Sequence, residues 1–391
     1  MTMFLELVCW VSAGVVLYSY GVYPLLIGLT ARLWPRRPIA VPLDERVEWP
    51  FVSLVIAAYR EERVIRERIE NALAMDYPAD RLEVLVGVDG DLDRTGEIIR
   101  EYTDPRIRLV QFPQRRGKPS VLNDCLTQTR GAIVAFSDAN TFWQPDALRR
   151  LVIHFDEPRV GGVCGQLLLT DPVTGENVDG LYWKYENYLK RCEGRCGALL
   201  GANGAIYAIR RELWSEIPAS TIVDDFLIGM RIHLAGRCLD FEELAVAHEE
   251  SAPHLKAEFQ RRARIGAGGF QSLGWLLPLL SPSRGVVAWA FWSHKVLRWL
   301  CPVFLVALLV ANLGLLNLPG YGWLLLGQIG FYLLALLGNY WPGRSLPSRC
   351  LRLTTMFTSM NLALLAGLWR WLRNAQSGAW QRTARTAELR S

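Results

Sequence analysis

The chain has no second cysteine pair to complete a zinc site. It has no zinc-finger, RRM or helix-turn-helix pattern, and no A-x-A-like cleavage site after its first apolar stretch. The first absence leaves eight scattered cysteines, Cys9, Cys125, Cys164, Cys192, Cys196, Cys238, Cys301 and Cys350, of which only Cys192 and Cys196 are close. Free buried thiols in a reducing compartment are the expectation. The second argues against a nucleic-acid partner, so the net charge of +5 is read as attraction to lipid headgroups beside membrane segments. The third makes Met3–Leu29, almost continuously apolar with Glu6 its single acid, an uncleaved membrane helix and not a signal peptide. The later apolar segments lack the paired charges that line translocation paths, which argues against a transporter.

What the chain does have is an apolar excess placed at its two ends. Hydrophobic residues make up 51% of it, yet Arg32–Gly269 has the mix of a soluble domain. Arg32, Trp34, Arg36 and Arg37 follow the first apolar helix, and this positive, aromatic edge places the next domain in the cytoplasm. The organisation expected is a membrane helix over 1–31, a cytoplasmic domain over 32–252, amphipathic interface helices over 253–298, about three membrane helices over 299–372, and a basic tail over 373–391. The spans are Trp299–Leu318, Gly322–Trp341 and Thr354–Trp371, with Ala288–Leu300 assigned to the interface. One span before the domain and three after it put the tail outside, while its arginines favour inside. Either one apolar segment does not cross, or Ala288–Leu300 belongs to an additional crossing.

After a linker at Pro38–Pro50, short β-rich runs alternate with amphipathic stretches. The strands are Val52–Ala57, Leu82–Val88, Ile107–Phe112 and Ala132–Ser137, and their spacing predicts a parallel, doubly wound α/β sheet. Further strands are expected at Val160–Leu169, Ile206–Ile209 and Leu244–His248, with helices at Asn177–Lys190 and Asp224–Ala235. Four acidic features stand at strand ends or helix starts: Asp89, Asp138, Asp224-Asp225 and Glu249-Glu250. Taken singly, Asp89-Gly90 reads equally as a turn and Asp224 as a helix cap. Asp138 closes an apolar strand, where open α/β sheets place their ligands.

Six stretches in this order resemble the membrane-bound family-2 glycosyltransferases, the group of cellulose, chitin and hyaluronan synthases and their bacterial relatives. They are Val52–Glu61 (VSLVIAAYRE), Val88–Thr95 (VDGDLDRT), Arg116–Asn123 (RGKPSVLN), Phe136–Pro145 (FSDANTFWQP), Gly201–Arg211 (GANGAIYAIRR) and Val223–Arg231 (VDDFLIGMR). The resemblance implies a GT-A-type, Rossmann-like nucleotide-sugar domain inserted between transmembrane helices of the cytoplasmic membrane, with amphipathic interface helices. It implies an inverting transfer from a nucleotide-sugar, UDP-linked in the first instance, to a saccharide or lipid-linked acceptor in polysaccharide or envelope-glycan assembly. Partner proteins of an export system fit the same pathway.

The roles it implies fall on named positions. Ala57, Tyr59, Glu61, Asp89, Lys118 and Asp138 would hold the nucleotide-sugar. Asp138 would reach the diphosphate through Mg²⁺ or Mn²⁺. Asp225 would be the general base and Asp224 a cap beside it. Gly201, Ala202, Asn203 and Gly204 would let backbone approach the acceptor. Two departures stand out. The usual D-x-D metal motif has Asn140 at its third position, with His248 as a candidate further ligand. The Q-x-x-R-W signature of processive synthases is reduced to Gln260, Arg262 and Arg264 with no tryptophan. A single-addition glycolipid transferase and a catalytically weak nucleotide-sugar-binding scaffold are the alternatives.

Overall fold

The computed structural model describes residues 1–35, 48–170, 180–250, 255–338 and 346–376. Most of the linker, Arg36, Arg37, the first residues of the Asn177 helix, His254 and the tail beyond residue 376 lie outside the described residues. The chain divides into two units. One comprises Met1–Gly28, His254–Leu273 and Trp289–Gln376; the other is built around Leu29–Pro253 and Gly274–Ala288.

The second unit is an eight-stranded sheet with order β3-β2-β1-β4-β7-β6-β8-β5. Its strands are β1 (Val52–Ala58), β2 (Leu82–Asp89), β3 (Ile107–Phe112), β4 (Ile133–Asp138), β5 (Phe142–Trp143), β6 (Val160–Thr170), β7 (Tyr207–Arg210) and β8 (Cys238–Glu250). The first four are mutually parallel, as the alternation predicts. Every residue of β1 and β2 is buried, which is why both read as unbroken apolar runs.

The expected all-parallel sheet stops at β4. There β7 joins antiparallel, with Phe136 opposite Tyr207 and the two rings stacked 4.6 Å apart. Antiparallel pairing lays the start of β7 beside the end of β4, so the Gly-rich turn before β7 arrives at Asp138. The late strand is also longer than its sequence suggests. Polar residues interrupt β8, but it pairs with β6 from Cys238 to Glu250 across two irregularities.

Helices cover the sheet where side chains permit. The Lys118–Thr127 helix lies on β2 at Gly87, where an added methyl would stand 2.5 Å from Val121 Cγ1 and 2.7 Å from Cys125 Sγ. This close approach fixes the height of Lys118 above the strand ends.

The other unit holds Thr2–Leu33, Val286–Gly314 and Leu351–Leu372, three helices long and apolar enough to cross a membrane, and the shorter apolar helix Tyr321–Leu337. Ala288–Leu300 is not a separate interface helix. It runs through a π-helical turn, Phe291–Val296, into the helix that ends at Gly314. Phe270–Leu280 likewise divides, its first part closing the continuous helix Leu255–Leu276 and its remainder a 3₁₀ turn. Small residues let helices of this unit pack closely. A methyl on Gly367 would meet the Ala263 carbonyl at 2.6 Å. Among the described cysteines all seven are free, and all but the half-buried Cys238 are buried.

Candidate active site

Lys118 and three aspartates meet at the carboxyl end of β4. The Lys118 ammonium donates to Asp138 Oδ1 at 2.7 Å and stands 3.3 Å from Asp224 Oδ2. A methyl built on Gly204 would lie 3.2 Å from Asp138 Oδ2, 3.3 Å from Lys118 Nζ and 3.5 Å from Asp225 Oδ2. Three elements, the Lys118 helix, β4 and the Asp224–Leu234 helix, thus converge on one backbone position that carries no side chain.

The local reasons are visible in the backbone. Gly117 adopts a positive φ of 89°, which non-glycine residues rarely take, and turns the chain into the Lys118 helix. Asp89 fixes that turn, its two carboxylate oxygens accepting the Arg116 N–H at 2.6 Å and the Gly117 N–H at 2.9 Å. Asp89 therefore stands one step behind the cluster and places Lys118. Gly201, at φ 84°, rests on the Asp224–Leu234 helix, where a side chain would meet the Phe226 ring at 2.5 Å. Ala202 N lies 2.8 Å from the methyl position of Gly229 on the same helix. Asn203 closes the turn, its Oδ1 accepting the Ile206 N–H at 3.1 Å and its amide donating to the Gly165 carbonyl.

Asp224 is not the helix cap that its position suggests. Val223 occupies the cap, and Asp224 is the first helical residue, buried and facing Lys118. Asp225 follows, its Oδ1 accepting the Phe226 N–H at 2.8 Å.

The electrostatics follow from this crowding. Burial would lower the Lys118 ammonium, but Asp138, Asp224 and Asp225 outweigh it and hold the group above its ordinary value. Burial first, and Asp224 second, push the Asp225 carboxyl up to about 6, against the pull of Lys118 and the Phe226 N–H. A carboxylate poised near neutrality is what proton abstraction from a hydroxyl requires. Tyr207, buried beneath the three acids, has its phenol raised by burial and by their charge.

The remaining expected residues take varied places. Ala57 pairs in register with Asp138. Tyr59 lies just past β1 under the Arg115 guanidinium, 4.1 Å from its ring. Glu61 is buried, and its backbone N–H donates to Thr95 Oγ1 at 2.9 Å. Asn140 donates its amide to Glu249 Oε1 at 3.0 Å. His248 has Gln144 Nε2 at 3.5 Å from its ring nitrogen, not a place among the aspartates. Gln260, Arg262 and Arg264 belong to the other unit. There Arg262 pairs with Glu258 at 2.6 Å and Gln260 accepts from Arg370.

No group of three or more His, Cys, Asp or Glu side chains able to hold a metal is present among the described residues. The donor chemistry at Asp138 nevertheless suits a hard cation. Three carboxylates against one ammonium leave the cluster about two charges negative when all are ionised. Mg²⁺ is commonly held by one or two carboxylates plus water and substrate phosphates, which Asp138 can anchor.

Sequence reasoning passed over Trp143, Tyr207 and Arg115. Tyr207 reaches the end of β4 through the antiparallel β4–β7 pairing, and Trp143 lies in β5, paired with β8, from which its indole N–H donates to the Ala205 carbonyl.

Residues 53–216 match the family described as glycosyl transferase family 2. Over 239 residues the chain is 30% identical to a beta-monoglucosyldiacylglycerol synthase of Synechocystis sp., covering 58% of this chain and 49% of that protein. It is 24% identical over 229 residues to a poly-beta-1,6-N-acetyl-D-glucosamine synthase of Staphylococcus aureus, covering 57% of this chain and 55% of that one. The chain spans about half the length of the curated relatives it matches. In structure it is similar to a mannosyltransferase from Pyrobaculum calidifontis solved with GDP-Man and Mn²⁺. The TM-score is 0.71 at 23% identity, with 95% of this chain and all of that one covered, so the mixed sheet is of the GT-A type.

Proposed function

Because the chain carries a family-2 glycosyltransferase domain, we propose that it transfers a sugar from a nucleotide-sugar to a saccharide or lipid-linked acceptor with inversion at the anomeric carbon. The observation that carries this reading is Asp225, a carboxyl raised to about 6 and facing the same point as Lys118 and Asp138. In a single displacement the acceptor oxygen attacks the anomeric carbon while the bond to the diphosphate breaks. The acceptor proton passes to Asp225, and the electron pair leaves with the nucleoside diphosphate. Attack opposite the leaving group turns an α-linked donor into a β-linked product.

Lys118 pairs with Asp138 at 2.7 Å and with Asp224 at 3.3 Å and so links the two carboxylates. Asp138 would hold Mg²⁺ or Mn²⁺, which supplies positive charge for the departing diphosphate. Tyr59 and Glu61, just past β1, and Ala57 within it would line the nucleotide side. Gly201, Ala202, Asn203, Gly204 and Asp224 would face the acceptor side. The apolar helices support a place in the membrane, and the positive, aromatic edge at Arg32 and Trp34 supports a cytoplasmic side for the domain.

A glycolipid acceptor, receiving a single sugar, is favoured over polymer extrusion by the missing Q-x-x-R-W tryptophan and by the similarity to a glucosyldiacylglycerol synthase. The test is a screen of UDP- and GDP-sugars for nucleotide release by the purified protein, followed by mass analysis of the glycosylated product. One added hexose on a lipid supports the reading, and a ladder of products selects a synthase. Donor binding without release for any donor–acceptor pair would return the scaffold alternative.

A further inference from the structure

Trp143 is a buried side chain that joins the Ile65–Leu73 helix to the turn beside the site, and the reaction scheme above gives it no task. Its backbone N–H donates to Asn71 Oδ1 at 2.9 Å, and its carbonyl accepts from Asn71 Nδ2 at 2.9 Å. Both main-chain groups of one residue are thus clamped by a single amide. Asn71 Oδ1 also accepts from Arg68 Nη1 at 3.1 Å, and the wholly buried Arg68 guanidinium lies 5.9 Å from the indole. From this anchored base the indole Nε1–H donates to the Ala205 carbonyl at 2.9 Å. Ala205 adjoins Gly204, the position on which Lys118, Asp138 and Asp225 converge.

We propose that Trp143 is a positioning residue that presses the Gly204 turn against the Lys118–aspartate cluster, with Asn71 as its anchor. This rests on the transferase reading above. Phe in place of Trp keeps an aromatic ring but removes the N–H together with part of the buried indole, so the turn loses its tether and protection of the rest of the sheet serves as the control for lost packing. Two other ties remain, Asn203 to Ile206 within the turn and Asn203 to the Gly165 carbonyl on β6. They hold the Asn203 end of the turn, whereas Trp143 holds it at Ala205, next to Gly204. The donor side, which approaches through β1 and the Gly117 turn, is untouched by the change. The effect therefore falls on the chemical step and not on donor binding.

The experiment compares the full chain with Trp143→Phe. Nucleotide release is followed from UDP-glucose and from GDP-mannose, with solubilised diacylglycerol as acceptor. In parallel, hydrogen exchange of the peptides covering 199–206 is measured without substrate. We expect kcat to fall about tenfold or more with donor KM held within about twofold, and exchange to quicken at 199–206 while the rest of the sheet keeps its protection. Asn71→Ala, which frees the Trp143 backbone at a half-buried site, should reproduce both effects and stands in if the Phe variant does not fold. Unchanged exchange at 199–206, or a loss of protection spread over the whole domain, would overturn the proposal. Unchanged kcat in an active enzyme would do the same. A wild-type protein that releases no nucleotide would instead count against the transferase reading, and the exchange measurement would still decide the tether.

Discussion

The ammonium of Lys118 sits 2.7 Å from Asp138 Oδ1 and 3.3 Å from Asp224 Oδ2, so one cation bridges two aspartates from different elements. Its removal would leave like charges facing one another with no compensation. Lys118 also pulls the Asp225 carboxyl down from where burial and Asp224 push it. Lys118→Met is expected to lower kcat by about 10²-fold or more. It should also move the acidic limb of the pH–rate profile to higher pH. A limb that stays in place would show that the lysine does not govern the base.

Asp225 makes the pH dependence specific. As a base it must be ionised, so kcat/KM should rise with pH through about 6 and level off above it. Asp225→Asn should cost about 10²–10⁴-fold in kcat while donor affinity stays within about threefold. The same group carries a stability signature. Its folded value is raised above the unfolded one of about 3.9, so the folded state binds the proton more tightly between those values. The group's contribution to stability is then lost as pH rises through about 6. The Asn variant should accordingly melt higher than wild type at pH 7, with the difference fading toward pH 4. Equal melting temperatures across that range would contradict the strained carboxyl.

Much of this site was legible in the sequence because its parts end strands. Asp89 and Asp138 close β2 and β4, whose buried runs announce themselves by composition. Asp225 is a candidate through the family resemblance of the VDDFLIGMR stretch, in which two acids open an apolar helix. Asp89 is legible as a strand-end acid, but its bonds to the Arg116 and Gly117 amides are not, since they are made only in the fold. The parallel sheet was over-extended for a related reason. Nothing in Tyr207–Arg210 reports strand direction, and direction is what carries Gly204 to Asp138. The length of β8 was hidden by its acids. Two of them, Asp240 and Glu242, accept from His154 at 3.3 and 2.7 Å in a contact made only by the fold.

Gly204 tests whether the cluster needs its bare backbone. A methyl there would sit 3.2–3.5 Å from two carboxylate oxygens and the ammonium, tight enough to push the lysine or Asp138 aside without disturbing the sheet. Gly204→Ala is expected to lower kcat about tenfold or more while circular dichroism and melting temperature stay near wild type. A fully active Ala variant would mean that the acceptor and its base do not meet at this point.

The cation prediction turns on Asn140. In the usual motif a carboxylate stands here; in this chain the amide donates to Glu249 Oε1 at 3.0 Å. Asn140→Asp would replace that donor with a second acceptor, setting two carboxylates about 3 Å apart, a pair that cannot both ionise without a proton or a metal ion. Mn²⁺ titrated into the donor-free protein should then bind at least about tenfold more tightly than to wild type, with the gain falling away below about pH 5 as the pair takes up a proton. Asp138→Ala should instead weaken Mn²⁺ bound together with UDP, because the metal would lose its one protein carboxylate. If the first variant leaves Mn²⁺ affinity unchanged while the second abolishes it, the cation lies against Asp138 on the side away from Glu249, and the amide serves only to hydrogen-bond that glutamate.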